Sequence, residues 1–377
     1  MPSSRLTGRR VSIAAVIVVA AVFTPLLILL WPTSPTASAG DYGYVRILST
    51  DVSDCAEAID PATLCGSAEV VDAEGQTFSV GIASQDAGGE LSTGQRVIVY
   101  SFDSGQKQVR AFHAADRLGV LSAFALITVA VVAVLVGVRG LRACASLAAS
   151  GLFIWHFLVA GIRDGGNPML YAAVTAVAIL TVVLHFTHGF GVKTLAAWSG
   201  TVIGVLLALA AGWIATRAAG ISGMGEESAR VTMFAGDVNV SVLALAVLLI
   251  ALIGVLNDIA VAQAAGVISS PGARGRDLGV VLRALDVGRD HASSAIYTIA
   301  FSVVAGSLAG LIVASARGLP LWALMHSDTI AYTLIQLLAG IIGTCTAMLA
   351  TTVIASCLAR RLPDRAHQRK EPECSNG

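Results

Sequence analysis

Long apolar blocks joined by short polar segments dominate the pattern of this chain. A helix needs about 20 apolar residues to cross the roughly 30 Å hydrocarbon core of a bilayer. Blocks of that kind run at 11–31, 119–137, 143–161, 168–186, 195–216, 239–262, 294–315 and 330–358. They predict eight membrane-spanning helices. Between the first two blocks the period changes. YGYVRILS, SAEVVDA, QTFSVGI, QRVIVYSF and QVRAFH alternate apolar and polar residues, with turn formers at Asp72–Gly75 and Asp86–Gly89 between them. Period two between turns reads as strands, and five short strands predict a small OB-like barrel or sandwich. The expected fold class is therefore an α-helical polytopic membrane protein with a small extracytoplasmic β-rich domain. The expected domains are 1–40 (first helix or signal anchor), 41–117 (β-rich), 118–360 (seven helices) and 361–377 (a polar, disordered cytoplasmic tail).

Composition agrees with that reading. The chain is 55% hydrophobic and 13% charged, where soluble proteins carry about a quarter charged residues. A net charge of +0 and the lack of a basic patch argue against a nucleic-acid partner. Arginine and lysine set the orientation. With the N-terminus inside, the short outer loops hold only Arg163, Arg217, Arg230 and Arg317, and the inner segments hold most of the rest. The positive-inside rule then puts both termini in the cytoplasm and residues 41–117 outside. The scarcity of lysine (Lys107, Lys193 and Lys370) beside abundant arginine fits a GC-rich coding sequence and so a bacterial source, and the expected location is the bacterial inner membrane. Ala37-Ser38-Ala39 has the form of a signal-peptidase site, but the apolar run before it exceeds the usual 7–15 residues. A retained signal anchor is the favoured expectation, with cleavage after Ala39 as the alternative.

Cys55 and Cys65 lie ten residues apart in the segment placed outside, where disulfides persist, so a bridge between them is expected. Cys144, Cys345 and Cys357 sit in apolar blocks and are expected to pack as small apolar residues. His185 and His188, three apart at the end of the fourth block, share a helix face. Two nitrogens do not make a zinc site, so interfacial anchoring is expected and no metal or other cofactor is assigned. Gly220-Ile-Ser222-Gly223 has the spelling of an intramembrane serine protease, but a polar loop follows it and no mid-membrane histidine matches it. No catalytic residue is assigned and no enzyme is expected.

The remaining polar groups lie towards the inner side. Asn257, Asp258 and Gln263 interrupt the sixth block. Ionisable groups in a span usually face a bundle interior or a water-filled path, but Asp258 lies about 27 Å along a helix starting near Val240 and could equally sit at the interface. Arg289, Asp290 and His291 are read as opening the seventh span after a long cytoplasmic loop, Ser269 to His291. They could meet the inner end of the sixth helix, or simply anchor their own. Gly200-x-x-x-Gly204, the stripe Thr298, Ser302, Gly306, Gly310, and Ala339, Gly340, Gly343 predict tight packing of spans five, seven and eight.

Several of these strings together resemble the YibE/F family of bacterial membrane proteins. They are Thr187-His188-Gly189-Phe190, Gly254-Val-Leu-Asn-Asp258 with Gln263-Ala264, Val287-Gly-Arg-Asp-His291 with Ser294 and Thr298, and Gly340-Ile-Ile-Gly343 with Thr351-Thr352. The order of parts also matches, and the resemblance covers roughly residues 40–358. It implies a multi-span membrane protein, described in that family as permease-like and without an assigned activity. The chain departs from the family pattern. An acidic residue is usual at Asn257, asparagine at Tyr297, glutamate and arginine near Thr333 and Gln336, and proline near Leu349.

The leading expectation is a permease-like transporter of an ion or small solute. Its polar path would use Asn257, Asp258, Gln263, Arg289, Asp290, His291 and Thr298, with Asp258 as the protonatable or ion-coordinating group. The alternative is a non-transporting envelope factor whose outer domain binds a partner and whose helices anchor it. Expected partners are the lipid bilayer and either a second copy or an envelope protein.

Overall fold

The computed structural model describes residues 2–32, 41–51, 64–83, 91–103, 108–221, 238–270 and 278–360. Contacts divide the chain into two compact units, Ser34–Gly137 and the combination of Met1–Thr33 with Val138–Gly377.

The first unit holds five strands: β1 (Asp41–Asp51), β2 (Leu64–Val71), β3 (Thr77–Ala83), β4 (Arg96–Asp103) and β5 (Gln108–Ala115). They close into a barrel in the order β1-β2-β3-β5-β4. Neighbours are antiparallel except β3 and β5, which meet in parallel. Closure removes the free edges a five-stranded sheet would otherwise expose. The alternation read from the sequence is the packing itself. Val45, Ile47, Ala68, Val70, Val80, Ile82, Val97 and Val99 all point inward and are buried. Cys65 in β2 is disulfide-bonded, while Cys55 lies outside the described residues.

The chain leaves β5 directly into α2 (Leu118–Leu135). Asp116 forms the joint. Its carboxylate accepts from the Leu118 backbone N–H at 3.1 Å and from Arg96 Nε at 2.6 Å. Helix α2 has 18 residues and a mean hydropathy of 2.7, long and apolar enough to cross a membrane.

The second unit contains α1 (Pro2–Leu30), α3 (Val138–Arg163), α4 (Pro168–His188), α5 (Val192–Ala218), α6 (Val240–Ser269), α7 (Leu278–Ala316), the short α8 (Leu321–Leu324) and α9 (Asp328–Ala359). Among the described residues eight helices are long and apolar enough to cross a membrane, the number the hydrophobic pattern predicts. Each falls on one of the predicted blocks. The protein is a multi-pass membrane protein.

Glycines bring α5, α6 and α9 together. A Cβ on Gly204 would stand 2.6 Å from Ala347 Cβ and 2.8 Å from the Gly343 carbonyl oxygen, and one on Gly343 would stand 2.8 Å from Ala208 Cβ. Gly200 packs in the same way on Thr351, and Gly212 on Leu248. In lipid, where no hydrophobic force drives helices together, this close approach supplies the contact. The predicted small-residue packing therefore holds for spans five and eight. It does not hold for Gly306 and Gly310 of α7, which have nothing within 4 Å of an added Cβ. Ser302 is exposed as well. Gly306 and Gly310 therefore bring no described helix close to α7, while Thr298, at the other end of the stripe, borders a groove shared with α6.

A second difference concerns length. The polar segment ahead of His291, which the sequence predicts as loop, is helix: α7 begins at Leu278. Arginine and aspartate alternate there with Val281, Leu282, Ala284 and Leu285, and the polar members occupy the exposed side. A strict apolar-run criterion misses such an amphipathic extension. Helix α6 likewise runs past residue 262 to Ser269.

The first helix packs within the second unit. Ser12, fully buried, has its Oγ 3.4 Å from His185 Nε2. At the other end Tyr171 Oη donates to the Leu30 carbonyl at 2.8 Å, satisfying one of the orphan carbonyls that end a helix. Gly161 and Gly166 make room for the Tyr171 ring. A π-helical turn in α3, Ile154–Val159, carries Phe157, whose ring meets Tyr171 at 5.1 Å and Trp31 at 5.9 Å.

Candidate functional site

The polar residues of α6 separate according to helix geometry. Its buried stripe, Leu252, Leu256, Ile259, Ala260, Gln263 and Val267, follows the three- and four-residue spacing of one helix face. Successive residues point about 100° apart. Asn257 and Asp258 therefore leave this stripe on different sides. Asn257 is half-buried and its Oδ1 has no hydrogen-bond partner among the described residues. Asp258 is exposed on the side facing α7.

Helix α7 is patterned in the same way. Ala284, Gly288, Ala292 and Ile299 are buried. The adjoining stripe, His291, Ser294 and Thr298, turns towards α6. A groove of about 400 Å³ lies between the two helices, lined by Ala251, Gly254, Val255, Asp258 and Ile259 of α6 and by His291, Ser294, Ala295 and Thr298 of α7. The Thr298 hydroxyl donates to the Ser294 carbonyl at 3.1 Å, so its oxygen keeps acceptor capacity alone. The groove has an apolar floor carrying one carboxylate, one imidazole and two hydroxyls.

Gln263 has another task. It is 5% exposed, and its Nε2 donates at 2.7 Å to both the Ala284 carbonyl and Thr352 Oγ1. The amide thereby ties α6 to α7 and to α9. It fits because position 288 is glycine. A Cβ there would lie 2.7 Å from Gln263 Oε1 and 2.9 Å from both Gln263 Nε2 and Met348 Sδ. Gln263 also borders a second cavity of about 450 Å³, with Gly266, Ser270, Arg283, Ala284 and Val287.

The structure thus brings Asp258, His291 and Thr298 together. It does not bring Arg289 or Asp290 to them. Arg289 pairs with Asp286, Nη1 to Oδ1 2.5 Å, one turn back on its own helix, and both side chains are 68% exposed. Asp290 is exposed and does not line the groove. His185 and His188 also separate. His185 is buried, with Nδ1 2.8 Å from the Thr181 carbonyl oxygen, while His188 is exposed. No group of three metal-binding side chains occurs among the described residues. Ser222, the serine of the protease-like spelling, lies outside them.

Three contributors were not legible from sequence. Gly288 is read there only as part of a string, and its contact with Gln263 depends on helix rotation. Thr352 was visible only as a motif residue. The buried Ser12 carries no signal beyond its place after Arg9 and Arg10.

Residues 124–361 match the family described as YibE/F-like protein. The chain belongs to the YibE/F-like family. The match spans all helices from within α2 to the end of α9 and leaves the barrel outside. In this YibE/F-like protein the segments that carried the resemblance are those that meet in space: Asp258 with His291 and Thr298, Gln263 with Gly288 and Thr352. Gly189 also fits its place. It ends α4 at φ 78°, a conformation that favours glycine, and its carbonyl accepts from Thr194 Oγ1 at 2.7 Å. No curated protein and no solved structure matches the chain.

Proposed function

We propose that this YibE/F-like protein is a permease-like transporter of an ion or small solute, and that the α6/α7 groove is its solute path. The observation that carries the proposal is the convergence of Asp258, His291, Ser294 and Thr298 on one groove between two spanning helices. Such groups are costly against lipid, and their usual place is a water-accessible path. Gln263 serves that path by positioning α7 rather than by meeting the solute. Arg289 and Asp290 lie on the solvated side of α7, near the inner mouth. The proposal includes a bacterial cytoplasmic membrane, both termini inside and the barrel outside, supported by the arginine distribution. It also includes retention of α1, supported by its contacts with His185 and Tyr171.

The test is flux of protons, Na⁺, K⁺, Mg²⁺, Mn²⁺ and small organic ions through proteoliposomes holding wild type or Asp258→Asn at equal density. Flux above protein-free liposomes that disappears in the variant supports the proposal. Equal flux in the two proteins removes Asp258 from the path.

A second reading has one observation in its favour. The outer face of β1, β4 and β5 carries an aromatic group, with Tyr42 meeting Tyr100 at 5.0 Å and His113 at 5.1 Å, and Tyr42 58% exposed. A barrel presenting such a face would suit a binding module anchored by the helices. If the barrel on an unrelated anchor restored the phenotype of a deletion strain, this reading would displace the transporter.

A further inference from the structure

We propose that the α6/α7 groove binds a small amphipathic organic cation: an ammonium group held by Asp258, with an apolar body lying along the groove. The inference deepens the transport reading and rests on the same groove, but it concerns binding and can fail separately.

Charge sets the sign of the ligand. The Asp258 carboxylate is the one negative group in the lining, and the Thr298 oxygen, its proton committed to Ser294, adds an acceptor beside it. Among the described residues no lysine or arginine lines the groove. Arg289, the cation nearest in sequence, is engaged by Asp286. An anion would face an uncompensated carboxylate.

Size and lining decide between a bare ion and a molecule. A bare cation requires a closed shell of donors, six to eight oxygens for Ca²⁺ at about 2.3–2.6 Å. Here one carboxylate, one imidazole and two hydroxyls are spread along about 400 Å³, the bulk volume of about a dozen waters. Small-molecule sites have that scale and that make-up, mostly apolar with a few convergent polar groups. Ala251, Val255, Ile259 and Ala295 supply the apolar surface. Gly254 leaves the wall open, because nothing lies within 4 Å of a Cβ built there.

The test is equilibrium binding to the full chain in nanodiscs, using hexylammonium, with hexanol, hexanoate and Mn²⁺ as comparison probes. Saturable binding of hexylammonium with one site per chain, and weaker binding of the other three, is expected. Asp258→Asn should weaken hexylammonium by about tenfold or more, the worth of a charge-assisted hydrogen bond. Gly254→Leu should block the groove and abolish binding, and since its Cβ meets no neighbour the fold should persist, as unchanged thermal unfolding would show. The inference is overturned if hexanol or hexanoate binds as tightly, if Mn²⁺ alone binds, or if either variant retains wild-type affinity while folded. Hexylammonium binding without flux of any solute would sink the transport reading and leave the site. Asp258-dependent flux without hexylammonium binding would do the reverse.

Discussion

Gly288→Ala is the substitution that most sharply tests how α7 is held. Gly→Ala inside a helix ordinarily stabilises by about 0.8–1.0 kcal/mol. Here the new methyl would stand 2.7–2.9 Å from the Gln263 amide and from Met348 Sδ. Methionine can move aside. The amide cannot move without giving up both of its 2.7 Å hydrogen bonds, to Ala284 and Thr352. Two such bonds in a membrane are worth roughly 0.6 kcal/mol each, and a buried amide left unpaired costs about 1–3 kcal/mol more. Set against the helix gain, Gly288→Ala should destabilise by about 1–3 kcal/mol. In a Gln263→Ala background the obstacle is absent and the same substitution should be neutral or stabilising. The coupling between the two sites should therefore be about 2–4 kcal/mol, read from a double-mutant cycle of unfolding free energies in bicelles. Additive effects, or a stabilising Gly288→Ala in the wild-type background, would refute the account of Gln263 as the tie between α6, α7 and α9.

Other consequences are as direct. Gly204→Ala should lower the melting temperature of the purified protein, because its methyl meets the Gly343 backbone oxygen at 2.8 Å, whereas Gly306→Ala, with open space around it, should not. Asn257→Leu should leave stability unchanged or raise it by about 1 kcal/mol, since it removes a buried oxygen that has no partner among the described residues; a loss of more than that in chemical unfolding would refute this. The Leu118 backbone N–H and the Arg96 guanidinium hold the Asp116 carboxyl below its usual value of 3.8. A depressed carboxyl stabilises the fold above that value, and the contribution is lost as pH falls through the folded pKa. Unfolding of the barrel followed between pH 5 and 2 should show this loss in the wild type and not in Asp116→Asn.

How much of this was legible in the sequence depends on the range of the interaction. The eight spans and five strands follow from local periodicity, and the apolar alternation of β1 to β5 is the barrel core. The start of α7 was not legible, because residues 278–291 form an amphipathic helix that a search for unbroken apolar runs passes over. The site divides in the same way. Asp258, Gln263 and His291 stand out as polar residues in or beside apolar blocks, so sequence finds them. Sequence does not say that Asp258 turns outward to a groove while Gln263 turns inward to α9, because that depends on which face of α6 packs against which neighbour. Nor does it show that Arg289 is taken up by Asp286, a pairing one turn away that only the unexpected helix makes available.

If the α6/α7 groove is a path for a polar solute, water-borne reagents must reach Thr298, and thiol labelling reads that access. Thr298→Cys is placed in a background lacking the native cysteines, in sealed vesicles, and treated with a charged, membrane-impermeant maleimide from each side in turn. Modification from one side is expected, suppressed when Gly254→Leu fills the groove. A cysteine that reacts only with a lipid-soluble maleimide, and equally with or without Gly254→Leu, would show that Thr298 faces hydrocarbon and would contradict the account.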